Sequence, residues 1–186
     1  MEEFELIEAA KNGDRIALTA LVKKYSNTIY NFAYKVCRDK EKAQNTMQDT
    51  FLSMVKSISQ FNSQAKLSTW LYRIVANHCM MAARKRKDAY FVEVETEDSL
   101  FDDKYIVDWS SLPLKNLETS ELRQVLDRAI SKLSPEYRLV FTLRDVEQLS
   151  IDETVKITGL SVPAIKSRLH RARAFLRKEI TKEFVK

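Results

Sequence analysis

Residues 149–173 read Leu-Ser-Ile-Asp-Glu-Thr-Val-Lys-Ile-Thr-Gly-Leu-Ser-Val-Pro-Ala-Ile-Lys-Ser-Arg-Leu-His-Arg-Ala-Arg, and little other than two short helices joined by a tight turn fits that string. Ser150 stands three residues before Glu153, the capping-box spacing that satisfies two orphan backbone N–H groups at a helix start. Gly159 can take the positive φ that a tight turn requires. Ser161 followed by Pro163 then reads as a cap and a first-turn proline, opening the second helix. On that helix Ile165, Leu169, Ala172 and Leu176 recur at i, i+4, i+7 and i+11 and form a core stripe. Lys166, Ser167, Arg168, His170, Arg171, Arg173 and Arg177 project from the rest. A helix fits the major groove of DNA, where Arg, Lys and Ser reach base edges and other cations neutralise phosphate. The same charges on a lone helix would read as a solvated face. Cap, glycine turn and preceding helix agree with one another, and together they imply a DNA-reading pair.

A helix of this length is marginal in water until its apolar face is packed. The partners are at hand: Ser134 and Pro135 open a helix carrying Leu139, Val140, Leu143 and Val146, and residues 121–133 supply another with Leu122, Val125, Leu126 and Ile130. Four helices therefore make a C-terminal domain, residues 120–186.

The N-terminal part, residues 1–88, reads as consecutive amphipathic helices. Asn12-Gly13-Asp14 is a turn and cap, and Ala17, Leu18, Leu21, Val22, Tyr25, Ile29, Phe32, Ala33 and Val36 follow at helical spacing. Asp39 can cap the next helix, whose apolar stripe is Ala43, Met47, Thr50, Phe51, Met54, Val55 and Ile58. After a loop at residues 61–66, Ser68 or Thr69 opens a third, with Trp70, Leu71, Ile74, Val75, His78, Met81 and Ala82. It runs into the basic block Arg84-Lys85-Arg86-Lys87.

Between the two lobes the hydrophobic period fails. Residues 89–119 are rich in Asp and Glu, and Leu112-Pro113-Leu114 interrupts any helix, so this stretch reads as an acidic linker. Phe91, Phe101, Tyr105, Ile106, Val107 and Trp109 are too apolar for a fully solvated tether and imply docking. With only two glycines and three prolines in 186 residues, many hairpins are excluded. The fold class is all-α, two small helical domains joined by the linker.

Net charge is +5, and the excess is segregated: two basic lobes flank an acidic stretch, as suits a nucleic-acid partner. Cys37 and Cys79 are the only thiols, and their spacing argues neither a zinc site nor a disulfide framework, which suits a reducing compartment. His78 beside Cys79 is packing, since adjacent helical residues point about 100° apart. No metal, cofactor or small-molecule substrate is expected, and no catalytic residue: carboxylate clusters and nucleophile–base pairs are lacking, which excludes an enzyme. No apolar run has signal-peptide or membrane-spanning length, so a cytoplasmic protein without membrane insertion is expected.

Three further segments carry a resemblance. Residues 43–51 (Ala-Gln-Asn-Thr-Met-Gln-Asp-Thr-Phe), residues 68–74 (Ser-Thr-Trp-Leu-Tyr-Arg-Ile) with Asn77 and the basic run at Arg84, and residues 165–173 (Ile-Lys-Ser-Arg-Leu-His-Arg-Ala-Arg) resemble the extracytoplasmic-function sigma factors of bacterial RNA polymerase. The match covers nearly the whole chain. It implies that the N-terminal domain, region 2, binds core RNA polymerase and opens the −10 promoter element, and that the C-terminal domain, region 4, binds the −35 element. By this resemblance Gln44, Asn45, Gln48, Asp49 and Phe51 belong to the polymerase-binding helix, with Gln44 and Asn45 standing where relatives carry an acidic pair. Phe61, Asn62, Gln64, Lys66, Ser68 and Thr69 match the segment that captures a flipped base, which needs a π-face and amide edges. Arg73, Asn77, Arg84 and Lys87 would follow the strand backbone. Lys166 to Arg177 would read the −35 element. The acidic linker matches a segment threaded through the polymerase's nucleic-acid channel. An anti-sigma factor is the expected inhibitor, and a stress or envelope regulon the expected target. A stand-alone helix-turn-helix regulator shares the C-terminal signal, but has no need of the other segments.

Overall fold

The computed structural model describes residues 2–85 and 120–184. The acidic linker and Lys87 lie outside the described residues. Those described are helical: α1 (Glu3–Lys11), α2 (Arg15–Cys37), α3 (Lys40–Ser57), α4 (Leu67–Lys85), α5 (Ser120–Lys132), α6 (Pro135–Phe141), α7 (Ile151–Thr158) and α8 (Val162–Phe184), with a 3-10 turn after α3 and a π turn, Thr142–Val146, after α6. They fall into two compact units. One holds α1 to α4 and also takes in Asp152–Gly159, and α5, α6 and α8 belong to the other.

In the N-terminal unit the helix boundaries follow from short polar residues. Gly13 turns at φ 88, and the Asp14 carboxylate then accepts from the amides of Ile16 (2.8 Å) and Ala17 (3.3 Å) to start α2. Arg38 ends α2 in the left-handed region, φ 57, its amide donating to the Tyr34 carbonyl at 2.8 Å. Asp39 caps α3 through the Lys42 amide at 3.1 Å. Ala17, Leu21, Tyr25, Ile29, Phe32, Ala33 and Val36 are all buried along α2, seven of the nine positions that the periodicity placed there. Met54 of α3 and Leu67, Leu71 and Val75 of α4 are buried as well, α2 packs on both of those helices, and the Phe32 and Tyr72 ring centroids lie 4.2 Å apart. At the rim, Glu3 of α1 accepts from Tyr25 Oη at 2.8 Å and from Lys24 Nζ. The Lys24 hydrogen bond holds the Glu3 carboxyl below the ordinary range, while burial pushes the Tyr25 phenol up.

Four expectations are corrected in this unit. Val55, Met81 and Ala82, placed in apolar stripes by periodicity, are exposed. Val55 lies off the buried face of α3, which runs Ala43, Thr46, Thr50, Phe51 and Met54, and Met81 and Ala82 lie off that of α4, which runs Leu71, Tyr72, Val75, Ala76 and Cys79. Cys37 and Cys79, expected to form no disulfide, are bonded, their Cα atoms 5.8 Å apart. A separation of 42 residues has no local signature, so only the packing of α2 on α4 reveals the pair. Cysteine spacing therefore no longer argues for a reducing compartment.

The C-terminal unit is built around Ala129 and Leu133 from the α5 end, Phe141 of α6, and Ala172 and Leu176 of α8, with Ile130, Tyr137, Leu169, Phe175 and Ile180 packed against them. Here α6 begins at Pro135, directly after Ser134. The expected apolar run along α6 stops short, since Val146, at the end of the π turn, is exposed. A charged residue sits inside: Arg138, 3% exposed, donates through Nη2 to the carbonyls of Ser131 (3.0 Å) and Leu133 (2.6 Å). It satisfies carbonyls that the end of α5 leaves without helical partners.

Candidate nucleic-acid interface

The turn into α8 forms as the sequence predicts. Gly159 has φ 70, and its amide donates to the Val155 carbonyl at 2.8 Å. The Ser161 hydroxyl accepts from the Ala164 amide at 3.4 Å, a weak cap, and Pro163 occupies the first turn. The second helix is not short: α8 runs 23 residues, because its distal half continues to pack, with Leu176 buried and Ile180 against the same core.

Of the seven α8 residues read as DNA-facing, Lys166 and Arg177 are exposed, and Ser167, Arg168, His170, Arg171 and Arg173 are half-buried. Arg168 pairs with Glu136 of α6 at 2.9 Å. Arg173 donates Nε and Nη2 to the two carboxylate oxygens of Asp145, at 2.8 and 2.5 Å, a two-point clamp. Its side chain is 26% exposed and that of Asp145 only 15%, so this guanidinium is occupied inside the unit. Asp145 lies in the π turn, where the wider backbone brings its carboxylate to α8.

In the N-terminal unit Asn62, Gln64 and Lys66 are exposed and Ser68 is half-buried. Phe61 and Thr69 are buried, 5% and 4% exposed. Phe61 does not offer its ring outward; it packs on Trp70 with centroids 5.3 Å apart. The loop is shaped by Ser63 at φ 57 and by Asn62 Oδ1, which accepts from the Gln64 amide at 3.2 Å. Gln60, Asn62, Gln64, Ala65, Trp70 and Arg73 line a concave pocket backed by Phe61 and Thr69. Arg73, Asn77 and Arg84 are exposed on α4 at i, i+4 and i+11, one side of the helix leading away from that pocket.

On α3, Gln44, Asn45, Gln48 and Asp49 are exposed and Phe51 is 8% exposed. Phe51 therefore holds the helix in place and the polar four present its outer face. That face also carries Leu52 and Val55, 59% and 49% exposed. Sequence reasoning passed over Leu52, though its position four residues beyond Gln48 puts it on that face. It also passed over Glu136, Arg138 and Asp145, whose partners lie on other turns or helices and leave no trace in local spacing. No described helix is long and apolar enough to cross a membrane.

Two separate sequence models match the two halves. Residues 21–89 match sigma-70 region 2, and residues 123–176 match sigma-70, region 4. A chain carrying both modules is a sigma factor. The chain is 32% identical over 177 residues to the ECF RNA polymerase sigma factor SigW of Bacillus subtilis, covering 94% of each protein. It is 28% identical over 185 residues to the RNA polymerase sigma-H factor of Pseudomonas aeruginosa, covering 96% of this chain and 94% of that one. In fold it resembles CnrH, solved in complex with the cytosolic domain of CnrY, with TM-score 0.62, 22% identity and 93% of each chain covered. A similar likeness holds to the sigma factor RpoE in complex with the anti-sigma factor NepR from Bartonella quintana, with TM-score 0.62, 21% identity, and 88% of this chain and 96% of that one covered. This chain belongs to the ECF sigma factors of bacterial RNA polymerase.

Proposed function

We propose that the chain docks on core RNA polymerase through α3, holds the opened −10 strand with the α4 side of the N-terminal domain, and reads the −35 element with α8. Its domains are then residues 1–88 and 120–186, joined by the acidic linker at 89–119. The observation that carries this reading is the outer face of α3. Leu52 and Val55 stand exposed among Gln44, Asn45, Gln48 and Asp49 on a helix whose opposite side closes the core, and an apolar pair rimmed by amides suits a protein partner.

The pocket beside Trp70 has the amide edges of Asn62 and Gln64 for an unstacked base, with Arg73 for its phosphate. Lys166 and Arg177 supply exposed charge on α8, and Ser167, His170 and Arg171 supply donors. The chain acts as an initiation factor and not as an enzyme, in the cytoplasm where transcription occurs, on a stress or envelope regulon. An anti-sigma factor is its inhibitor, by analogy with the complex formed by the Bartonella RpoE.

Run-off transcription with purified core polymerase on a random promoter library tests the whole reading. Defined start sites are expected only when chain and core are both present, with weak duplex binding by the chain alone. Tight duplex binding without core, and no initiation with it, would instead identify a stand-alone regulator. Within that assay Leu52→Glu is expected to weaken core binding about tenfold or more while leaving helicity intact, since it places a charge in an apolar contact.

A further inference from the structure

The disulfide between Cys37 and Cys79 has a place in the fold that neither DNA binding nor polymerase docking requires. Cys37 is the last residue of α2, directly before Arg38 at φ 57 and the α3 cap Asp39. Its Sγ lies 3.9 Å from the hydroxyl of Thr46, a buried residue of α3. Cys79 is on the buried face of α4, 4% exposed. Three helices thus meet at one pair of sulfurs. Their Cα separation of 5.8 Å is within the range that a disulfide spans without backbone movement, so the dithiol and the disulfide fit the same fold. Exposure differs between the two residues: Cys37 is half-buried at a helix end and Cys79 is enclosed.

We propose that Cys37 and Cys79 form a reversible exchange site for low-molecular-weight disulfides, with Cys37 the entry sulfur and Cys79 the resolving one, and that the closed bond pins the α2–α3 corner to α4. The Cys37 thiolate attacks one sulfur of the small disulfide, whose S–S bond breaks and releases one thiolate. The Cys79 thiolate then attacks Cys37 Sγ in the mixed disulfide and expels the second. The protein loses two protons and two electrons, and the small disulfide, taking them up, becomes two thiols. Crosslinking residues 42 apart restricts the unfolded chain and leaves the native helices where they are. The consequence for initiation rests on the reading of α3 as docking helix and α4 as strand-holding helix, since the bond fixes the corner from which both are set. The bond itself does not depend on that reading.

The test uses the full chain in glutathione buffers of graded ratio. Intact mass is expected to show loss of two hydrogens on oxidation and their return on reduction, without lasting glutathione adducts. The N-terminal unit is expected to melt about 10 °C higher when oxidised, a difference absent from Cys37→Ser and from Cys79→Ser. Cys79→Ser is expected to hold one glutathione at Cys37, and Cys37→Ser little or none. After brief heating, the oxidised chain is expected to retain severalfold more run-off activity with core polymerase than the reduced chain. A native chain that stays dithiol in oxidised glutathione, that stops at a Cys37 adduct, or that melts at one temperature in both states overturns the proposal. Those readouts need no variant and no polymerase, so they stand even where a variant folds poorly. Loss of run-off activity in both redox states would overturn the reading of α3 as docking helix and α4 as strand-holding helix and leave the exchange site intact.

Discussion

The two units place their polar and apolar groups in opposite ways. Among the described residues the N-terminal unit keeps charge out of its interior, with Leu21, Ile29, Phe32, Met54 and Leu71 fully buried beside a few threonines, and leaves Leu52 and Val55 on its surface. The C-terminal unit puts cations on its surface and charges within, with Arg138 inside and Arg173 clamped by Asp145. A domain that must meet a protein can carry exposed apolar side chains only if its own core is stable without them. A domain that must meet phosphate gathers cations on one helix, and that helix then needs internal carboxylates to fix its orientation. In the first unit burial of apolar area does most of the stabilising. In the second, a smaller apolar core leans also on hydrogen-bonded charge, which is costly to disrupt once buried.

Substitutions can break this contrast. The largest effect is expected from Leu21→Ala at a fully enclosed site, a loss of about 3–5 kcal/mol from cavity formation. Amide hydrogen exchange should show it in α1 to α4 with α5 and α6 little changed, and equal loss of protection in both units would mean that they fold as one. Next comes Arg138→Met, expected to cost about 2–3 kcal/mol because the carbonyls of Ser131 and Leu133 lose their donor. Chemical denaturation followed by exchange at α5 amides reports it, and a neutral outcome would show that apolar packing suffices in this unit too. Asp145→Asn should cost less, about 1–2 kcal/mol, with the loss confined to α8 and affinity for a −35 duplex reduced. Unchanged affinity there would make Arg173 irrelevant to how the helix is presented.

The smallest effect is expected from acid, and it should be alike in both units. Glu179 has its carboxyl held below the ordinary value of 4.5 by Lys132 first and Lys182 second, and Glu3 is held below the same value chiefly by Lys24. Each folded-state carboxyl gives up its proton more readily than in the unfolded chain. The stabilisation is therefore complete above the unfolded value and is lost as pH falls through the folded one. Glu3 is partly exposed, so solvent screening reduces its share, and about a few tenths of a kcal/mol is expected from each group. Thermal melts from pH 6 down to about pH 3 check this, and a steep acid loss in one unit alone would reveal a carboxylate of larger consequence.

Sequence periodicity carried much of the architecture because apolar spacing and burial are linked directly in long helices. The α2 stripe and the Ile165, Ala172, Leu176 row were legible for that reason, as were the turns at Gly13 and Gly159. Periodicity failed where the side chain was apolar but the helix face was not inward, as at Val55 and Met81, and where a charge was inward, as at Arg138. The candidate site was legible in its residue types and not in their partners. Nothing near Arg173 in sequence announces that Asp145, 28 residues away, holds it, and nothing near Phe61 announces that its ring packs on Trp70.

The length of α8 has a mechanical consequence. At 23 residues the helix is about 34 Å long, with candidate base-contacting residues near its start and the Lys132–Glu179 pair near its far end. It is one rod packed along its length at Ile165, Ala172 and Leu176, and a tilt of about 5° set at its Glu179 end would displace the opposite tip by about 3 Å over that length. Substitutions far from the candidate contacts, around Glu179 and Ile180, are therefore expected to change how that tip is presented.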